Sequence, residues 1–130
     1  MEQKINILIV DYQKNTRQGL KALLRFSPFI NEIYEARDGE CAIRVIKEVE
    51  PDLVILDVQM PVINGLWLAK WIHKHQPEIR VIMLTMYPYY EEAALDAGVD
   101  RFLVKGDVDY ILQDEILALF QAGSMENDVV

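Results

Sequence analysis

The sequence predicts a single α/β domain with a doubly wound parallel sheet. Three observations support this fold class. Short apolar runs alternate five times with segments whose apolar residues recur at helical spacing. The runs are too short for buried helices and lack the alternation of half-exposed strands, which is typical of central parallel strands. Short connections join the units, so we expect right-handed crossovers with helices on both faces of the sheet.

The composition fits one globular domain. The 130 residues are 52% hydrophobic and 26% charged, which suffices for a core without metal or disulfide support. The net charge of −8 argues against direct binding to nucleic acid or to an anionic membrane. The single cysteine, Cys41, excludes an internal disulfide, and no apolar run approaches the length of a membrane span. We therefore expect a cytoplasmic protein.

Each apolar run is assigned to a strand and each periodic segment to a helix. The predicted strands are residues 5–10, 32–36, 53–56, 80–84 and 101–104. The predicted helices are residues 15–26, a segment opened by Asp38-Gly39, residues 64–75, residues 88–97 and a last segment capped by Asp107. Asn15 or Thr16 is the predicted N-cap of the first helix. We expect the domain to span residues 1–122 and the unpatterned tail, 123–130, to be disordered.

Four strands end on residues with reactive side chains. Asp11 and Asp57 follow the first and third strands, Thr85 follows the fourth, and Lys105 follows the fifth. Because the carboxyl ends of parallel strands open onto one edge of the sheet, we expect these groups to converge. Two acids can hold Mg²⁺, and one can be a nucleophile that forms an aspartyl phosphate. Hydroxyl and ammonium donors can bind the phosphoryl oxygens. The pattern indicates phosphoryl transfer to a carboxylate.

The motifs around these strand ends resemble the receiver domain of two-component response regulators. The matching stretches are ILIVD, DLVILDVQMPVING, VIMLT and AGVDRFLVKGD, and the resemblance covers roughly residues 4–121. It implies a flavodoxin-like (βα)5 fold with strand order 2-1-3-4-5. The stretch TMY after the fourth strand is similar to regulators with a LuxR-type helix-turn-helix output, which these residues do not include. A stand-alone receiver and the N-terminal part of a longer regulator both remain open.

The resemblance implies a signalling switch rather than an enzyme, although the chain would assist its own phosphorylation and dephosphorylation. Asp57 is implied to be the phosphoacceptor, and a sensor histidine kinase or phosphotransfer protein the donor. Thr85 is the implied switch hydroxyl and Lys105 the phosphate-binding lysine. Phe102 occupies the position of the aromatic residue whose rotamer reports the state of Thr85.

The resemblance also implies a Mg²⁺ cofactor, with one departure from the family pattern. Asp11, Asp57 and the backbone carbonyl of Gln59 are the implied ligands. Receivers usually have a second acid directly after the first, and this chain has Tyr12 there. We expect weaker Mg²⁺ binding and slower phosphorylation. The alternative is a pseudo-receiver, an interaction module that works without phosphorylation; a flavin- or nucleotide-binding domain is disfavoured because no glycine-rich phosphate loop follows the first strand.

Two tryptophans on the third helix are candidates for a partner surface. Trp67 and Trp71 lie one turn apart, on the same side as Lys70 and Lys74. Large exposed aromatic residues favour protein binding. The alternative is that they cover the lysine stems or pack on the neighbouring helix.

Three tyrosines after the fourth strand are the other candidates. Tyr87, Tyr89 and Tyr90 fall where the resembled family remodels its surface to self-dimerise or to contact an output domain. Tyr87, two residues after Thr85, is also placed to shield a phosphoryl group from water. Ordinary loop packing is the alternative.

Overall fold

A computed structural model describes residues 4–106 and 108–129, with side chains described for 4–106 and 111–121. Five parallel strands form one sheet in the order β2-β1-β3-β4-β5, so the predicted flavodoxin-like fold is confirmed. The strands are β1 (Ile5–Val10), β2 (Ile30–Ala36), β3 (Leu53–Leu56), β4 (Arg80–Thr85) and β5 (Arg101–Val104). The helices are α1 (Lys14–Leu24), α2 (Gly39–Val49), α3 (Gly65–His75), α4 (Glu91–Asp96) and α5 (Val108–Val129).

The core has two layers, one on each face of the sheet. Successive side chains of a strand point to opposite faces, and β1 shows the result. Leu8 and Val10 pack in the layer under α2, α3 and α4, whereas Ile7 and Ile9 pack in the layer under α1 and α5. Burying each such side chain contributes about 1.5–3 kcal/mol. The central strands are therefore fixed on both faces, which makes their carboxyl ends a rigid platform.

Side-chain caps begin α2 and α3 near the predicted starts of these helices. The carboxylate of Asp38 accepts a hydrogen bond from the amide of Cys41 at 2.9 Å. The side-chain oxygen of Asn64 accepts one from the amide of Trp67 at 2.9 Å. Each cap satisfies an amide that the first turn of a helix leaves without a partner.

Helix α1 begins differently from the prediction. Its N-cap is Gln13, which makes no side-chain cap bond, so the assignment of Asn15 or Thr16 as the cap is wrong. Both residues lie inside the helix. The amide of Gln13 instead donates to Oδ1 of Asp11 at 2.9 Å. An aspartate that bonds the backbone two residues on forms a turn of its own, and here this turn starts the helix.

The segments after β4 and β5 also depart from the predicted bounds. A 3-10 turn, Pro88–Tyr90, precedes α4, so the α-helix itself begins only at Glu91. Helix α5 spans Val108–Val129, and the domain end at residue 122 stays a prediction. A single Gly123 does not end a helix, since an interior glycine costs only about 1 kcal/mol. The predicted cap, Asp107, lies outside the described residues.

Candidate functional site

Asp11 and Asp57 lie side by side at the carboxyl edge of the sheet. They follow Val10 and Leu56, which are register partners in the neighbouring strands β1 and β3. The amide of Asp57 also donates to the carbonyl oxygen of Val10 at 3.1 Å. Asp11 is only 3% exposed, and Asp57 is half-buried. The structure thus brings the two predicted acids together.

Lys105 joins the two carboxylates. Its Nζ lies 2.8 Å from Oδ2 of Asp11 and 3.1 Å from Oδ2 of Asp57. Burial lowers the pKa of the Lys105 ammonium, but the hydrogen bond and charge of Asp11, followed by those of Asp57, outweigh burial and raise that pKa above its usual value. Lys105 is therefore charged at neutral pH and offsets the repulsion between the two acids.

Thr85 lies beside Lys105 on the adjacent strand. The amide of Lys105 donates to the carbonyl oxygen of Thr85 at 2.8 Å. The Thr85 side chain is fully buried, and its Oγ1 accepts a long hydrogen bond of 3.4 Å from the amide of Tyr87. Phe102, opposite Met83 in the sheet, is half-buried and packs against the core layer under α2, α3 and α4. Thr85 and Phe102 therefore lie on β4 and β5, and Lys105, which contacts the acids, directly follows β5.

The β1–α1 loop is held by Arg17, which the sequence patterns did not single out. Its Nη1 donates to the carbonyl oxygens of Asp11 at 2.8 Å and Tyr12 at 3.4 Å. Its Nε pairs with Glu35 at 3.1 Å, and Lys21 pairs with the same carboxylate at 3.3 Å. Burial raises the pKa of Glu35, but these two cations outweigh it and hold that pKa below its usual value. We call the Arg17–Glu35 pair and its carbonyl contacts the arginine clamp.

Main-chain contacts hold the β3–α3 loop. The amide of Gly65 donates to the carbonyl oxygen of Val58 at 2.7 Å, and a Cβ on Gly65 would overlap the carbonyl oxygen of Asp57. Only glycine fits there. Val62 is fully exposed and has φ of 67°, an unfavourable conformation for a β-branched residue. Gln59, with its exposed side chain, belongs to the same loop.

The donor set at this edge suits Mg²⁺ as a two-carboxylate site. Oδ2 of Asp11 and Oδ2 of Asp57 both contact one ammonium, so they face a common point. Mg²⁺ is commonly held by one or two carboxylates and several waters. Tyr12 contributes no carboxylate, and its side chain is 56% exposed. Over the described parts of the chain, no group of three or more histidine, cysteine or acidic side chains gathers around one point.

The three tyrosines after β4 form a cluster. The ring centroids of Tyr87 and Tyr89 are 5.6 Å apart, and those of Tyr89 and Tyr90 are 4.8 Å apart. Tyr90 is half-buried against the core and lines an open groove of ≈ 370 Å³ beside the β3–α3 loop. Tyr89 is 72% exposed. Loop packing accounts for Tyr90, whereas Tyr87 and Tyr89 remain available at the surface.

The two tryptophans have different surroundings. Trp71 packs against the core, its ring stacks on His75 at 4.8 Å, and Nζ of Lys47 on α2 lies 5.9 Å from its ring centroid. Trp67 is 50% exposed. The structure therefore gives Trp71 the packing role that was one of the two alternatives, and it leaves Trp67 as a surface residue.

Comparison with known proteins identifies the family. The family model for the response regulator receiver domain matches residues 7–115. The chain belongs to the response-regulator receiver family. The receiver is 38% identical over 110 residues to the transcriptional regulatory protein LnrK of Bacillus subtilis, covering 85% of this chain and 47% of that protein. It is 31% identical over 127 residues to the nitrate/nitrite response regulator protein NarL of Escherichia coli, covering 96% of this chain and 57% of that protein.

A solved structure has the same fold. A LuxR-family two-component response regulator from Aurantimonas superposes with a TM-score of 0.85 at 24% identity, over 92% of this chain and 87% of that one. At this identity the likeness shows the fold alone. The receiver spans about half the length of the curated relatives it matches. Within the described residues, no helix is both long and apolar enough to cross a membrane.

Proposed function

We propose that this receiver is a switch that accepts a phosphoryl group on Asp57 from a sensor histidine kinase or a phosphotransfer protein. The observation that carries the proposal is the convergence of Asp11, Asp57 and Lys105, joined by contacts of 2.8 and 3.1 Å. A carboxylate oxygen of Asp57 attacks phosphorus while the bond from phosphorus to the donor nitrogen breaks. The released imidazole takes its proton from solvent.

Residues already at the site stabilise the transferred group. The Lys105 ammonium, which now pairs with Asp57, can donate to the new phosphoryl oxygens. The Thr85 hydroxyl can also donate to these oxygens after it moves away from the amide of Tyr87. The hydrogen bond from that amide is long, at 3.4 Å, so little is lost when it breaks. When Thr85 bonds the phosphoryl group instead of the amide of Tyr87, the segment before α4 can take a different position. Phe102 can then occupy the space that Thr85 vacates. The switch needs only that phosphorylation stabilise one of two existing states.

Mg²⁺ is proposed as the cofactor, with Asp11, Asp57 and the carbonyl of Gln59 as ligands. When bound, it neutralises charge on the phosphoryl oxygens. Because Tyr12 supplies no carboxylate, we expect Tyr12→Asp to lower the Mg²⁺ dissociation constant about tenfold, since each added carboxylate strengthens a hard-cation site. Isothermal titration with Mg²⁺ measures this, and Tyr12→Phe serves as the control that adds no ligand. An unchanged constant in Tyr12→Asp would show that this position does not contact the metal.

The direct test is intact mass after incubation with acetyl phosphate and Mg²⁺. We expect a gain of about 80 Da, one phosphoryl group. Asp57→Asn should abolish the gain. Asp114→Asn, which changes an exposed aspartate on α5, should retain it. A folded wild-type protein that gains no mass at any Mg²⁺ concentration would contradict the proposal.

The second candidate is a pseudo-receiver that binds partners without phosphorylation. Tyr12 in place of an acid favours it, as does Lys105, which already pairs with both carboxylates. The failure of the mass experiment would support this alternative. In either case we propose that the domain spans residues 1–122 and lies in the cytoplasm. We propose that it acts on an output domain or on another protein and does not itself contact nucleic acid or membrane.

A further inference from the structure

Both tryptophans of the chain lie on helix α3, one turn apart. Trp67 is 50% exposed. Trp71 packs against the core but is also partly exposed. Indole rings bury a large apolar area when they are covered, and such residues commonly anchor protein interfaces. The receiver itself does not cover these two rings fully, so a partner can gain free energy by covering them.

Three lysines surround the two rings. Lys70 and Lys74 follow Trp67 at i+3 and i+7 on the exposed side of α3. Nζ of Lys47 on α2 lies 5.9 Å from the ring centroid of Trp71. Among the described residues, no ion pair uses any of these three ammonium groups, and α3 contains no acid. We call Lys47, Trp67, Lys70, Trp71 and Lys74 the tryptophan face.

Acidic helices border the tryptophan face and make it narrow. Helix α4 packs beside α3, since a Cβ on Gly98, just after the end of α4, would come within 3 Å of the ring of His73. Helix α4 contains three acids and no base. On the other side, α2 exposes Glu40 and Glu48. Because packed helices lie about 8–10 Å apart, the positive strip over α3 is about one helix wide.

We propose that the tryptophan face binds an acidic amphipathic helix of a partner protein. The apolar side of this helix covers Trp67 and the exposed edge of Trp71, and its carboxylates flank that side and pair with Lys70 and Lys74. Residues at i and i+4 of any α-helix are about 6 Å apart along its axis. Acids at this spacing on the partner therefore match the two lysines in register.

The charge and the width of the face select this occupant. The three lysines repel a cationic segment. A membrane or a nucleic acid extends beyond one helix width and meets the acids of α4, and the net charge of −8 opposes both. A single helix, about 10–12 Å across with its side chains, contacts the positive strip alone. The interaction does not involve Asp57, so it is independent of the proposed phosphorylation.

Tryptophan fluorescence tests the proposal directly, because the only two tryptophans of the chain belong to this face. The probe is a synthetic peptide of leucine and glutamate that is locked as a helix by a side-chain staple, with its leucines along one side. We expect a saturable blue shift of the emission as the rings leave water. Binding should weaken at least about fivefold when salt rises from about 50 to about 300 mM, because the paired charges lie at the surface.

Variants of the receiver test which residues bind. Lys70→Glu with Lys74→Glu should weaken binding at least about tenfold. Lys4→Glu with Lys14→Glu makes the same change in net charge at exposed positions outside the face, and it should bind within about twofold of wild type. Trp67→Ala should weaken binding about tenfold, as measured by titration calorimetry because the variant lacks one fluorophore.

Twin peptides and vesicles test the chemistry of the partner. A stapled twin with glutamine in place of glutamate should bind at least about tenfold more weakly. An unstapled twin with two central prolines cannot form the helix and should also bind weakly. Equal binding of either twin overturns the proposal, as does an emission that the stapled peptide leaves unchanged up to about 1 mM. Phosphatidylglycerol vesicles that shift the emission when the peptide does not would identify a membrane surface instead.

Discussion

The β1–α1 loop carries Asp11 and is fixed by side-chain charges, whereas the β3–α3 loop carries Asp57 and is fixed by its own main chain. In the first loop, the arginine clamp ties two carbonyl oxygens to Glu35 at the end of β2. In the second, the backbone of Gly65 packs directly on that of Asp57. The clamp contacts only the backbone carbonyl of Tyr12, whose side chain is 56% exposed, so it does not require an acid at that position. A loop held by backbone packing tolerates only glycine at its closest approach.

The largest loss of stability is expected at Gly65, where the main chain lies closest to the backbone of Asp57. Gly65→Ala should destabilise the receiver by about 3 kcal/mol, because the added Cβ meets backbone that cannot move without displacing Asp57. This outweighs the helix propensity of alanine, which favours it by about 1 kcal/mol. Urea unfolding measures the change.

Gly19→Ala is the matched control for that prediction. Gly19 lies inside α1, and a Cβ there would meet nothing within 4 Å. Helix propensity alone then determines the change in the free energy of unfolding, and we expect Gly19→Ala to raise it by about 1 kcal/mol. Equal effects of the two substitutions would show that the close approach at Gly65 is not what fixes the β3–α3 loop.

Removing the clamp should have the second largest effect. Arg17→Met should cost about 2 kcal/mol, because it leaves the Asp11 carbonyl without its charged donor. It should also expose the amide of Gln13, which bonds the Asp11 carboxylate, to faster hydrogen exchange. Lys21→Met removes the other cation from Glu35 without touching the loop. If Lys21→Met accelerates exchange at Gln13 equally, the clamp is not the cause.

Relieving the strain in the β3–α3 loop should have a smaller, opposite effect. Val62→Asn should stabilise the protein by about 1 kcal/mol, because asparagine tolerates the left-handed conformation that valine resists. Differential scanning calorimetry measures the shift. Gln59→Asn, an exposed position of the same loop whose φ is not positive, should leave stability unchanged. A Val62→Asn variant no more stable than wild type would show that the valine makes a compensating contact.

The smallest effect concerns the acid sensitivity of the clamp. Burial raises the pKa of Glu35, but Arg17 and Lys21 keep it below the usual value of about 4.3. The ionised carboxylate therefore adds stability above that value, and the contribution is lost as pH falls through the folded-state pKa. Between about pH 5 and pH 3, wild type should lose a few tenths of a kcal/mol more stability than Glu35→Gln.

Urea unfolding at each pH checks this last prediction. Glu48→Gln, at an exposed position on α2, should follow the wild-type curve. Parallel curves for wild type and Glu35→Gln would mean that the clamp does not depend on the ionised carboxylate.

The sequence alone determined the alternation of strands and helices, the residues that end the strands, and the starts of α2 and α3 near Asp38 and Asn64. These depend on hydrophobic spacing and on hydrogen bonds between close neighbours in the chain, so they can be recognised locally. The convergence of Asp11, Asp57 and Lys105 also followed from sequence, because strand ends of a parallel sheet meet at one edge.

Only the tertiary structure decided the contacts that hold the β1–α1 and β3–α3 loops and the exposure of the two tryptophans on α3. The contact between Arg17 and Glu35 joins α1 to β2, so no local pattern contains it. The cap of α1 was assigned wrongly because the carboxylate of Asp11 starts the helix from outside the periodic segment. Trp67 and Trp71 have the same spacing pattern, yet contacts with α2 and the core partly bury Trp71 and leave Trp67 exposed. Packing between elements distant in sequence sets these features, and periodicity along one element does not encode it.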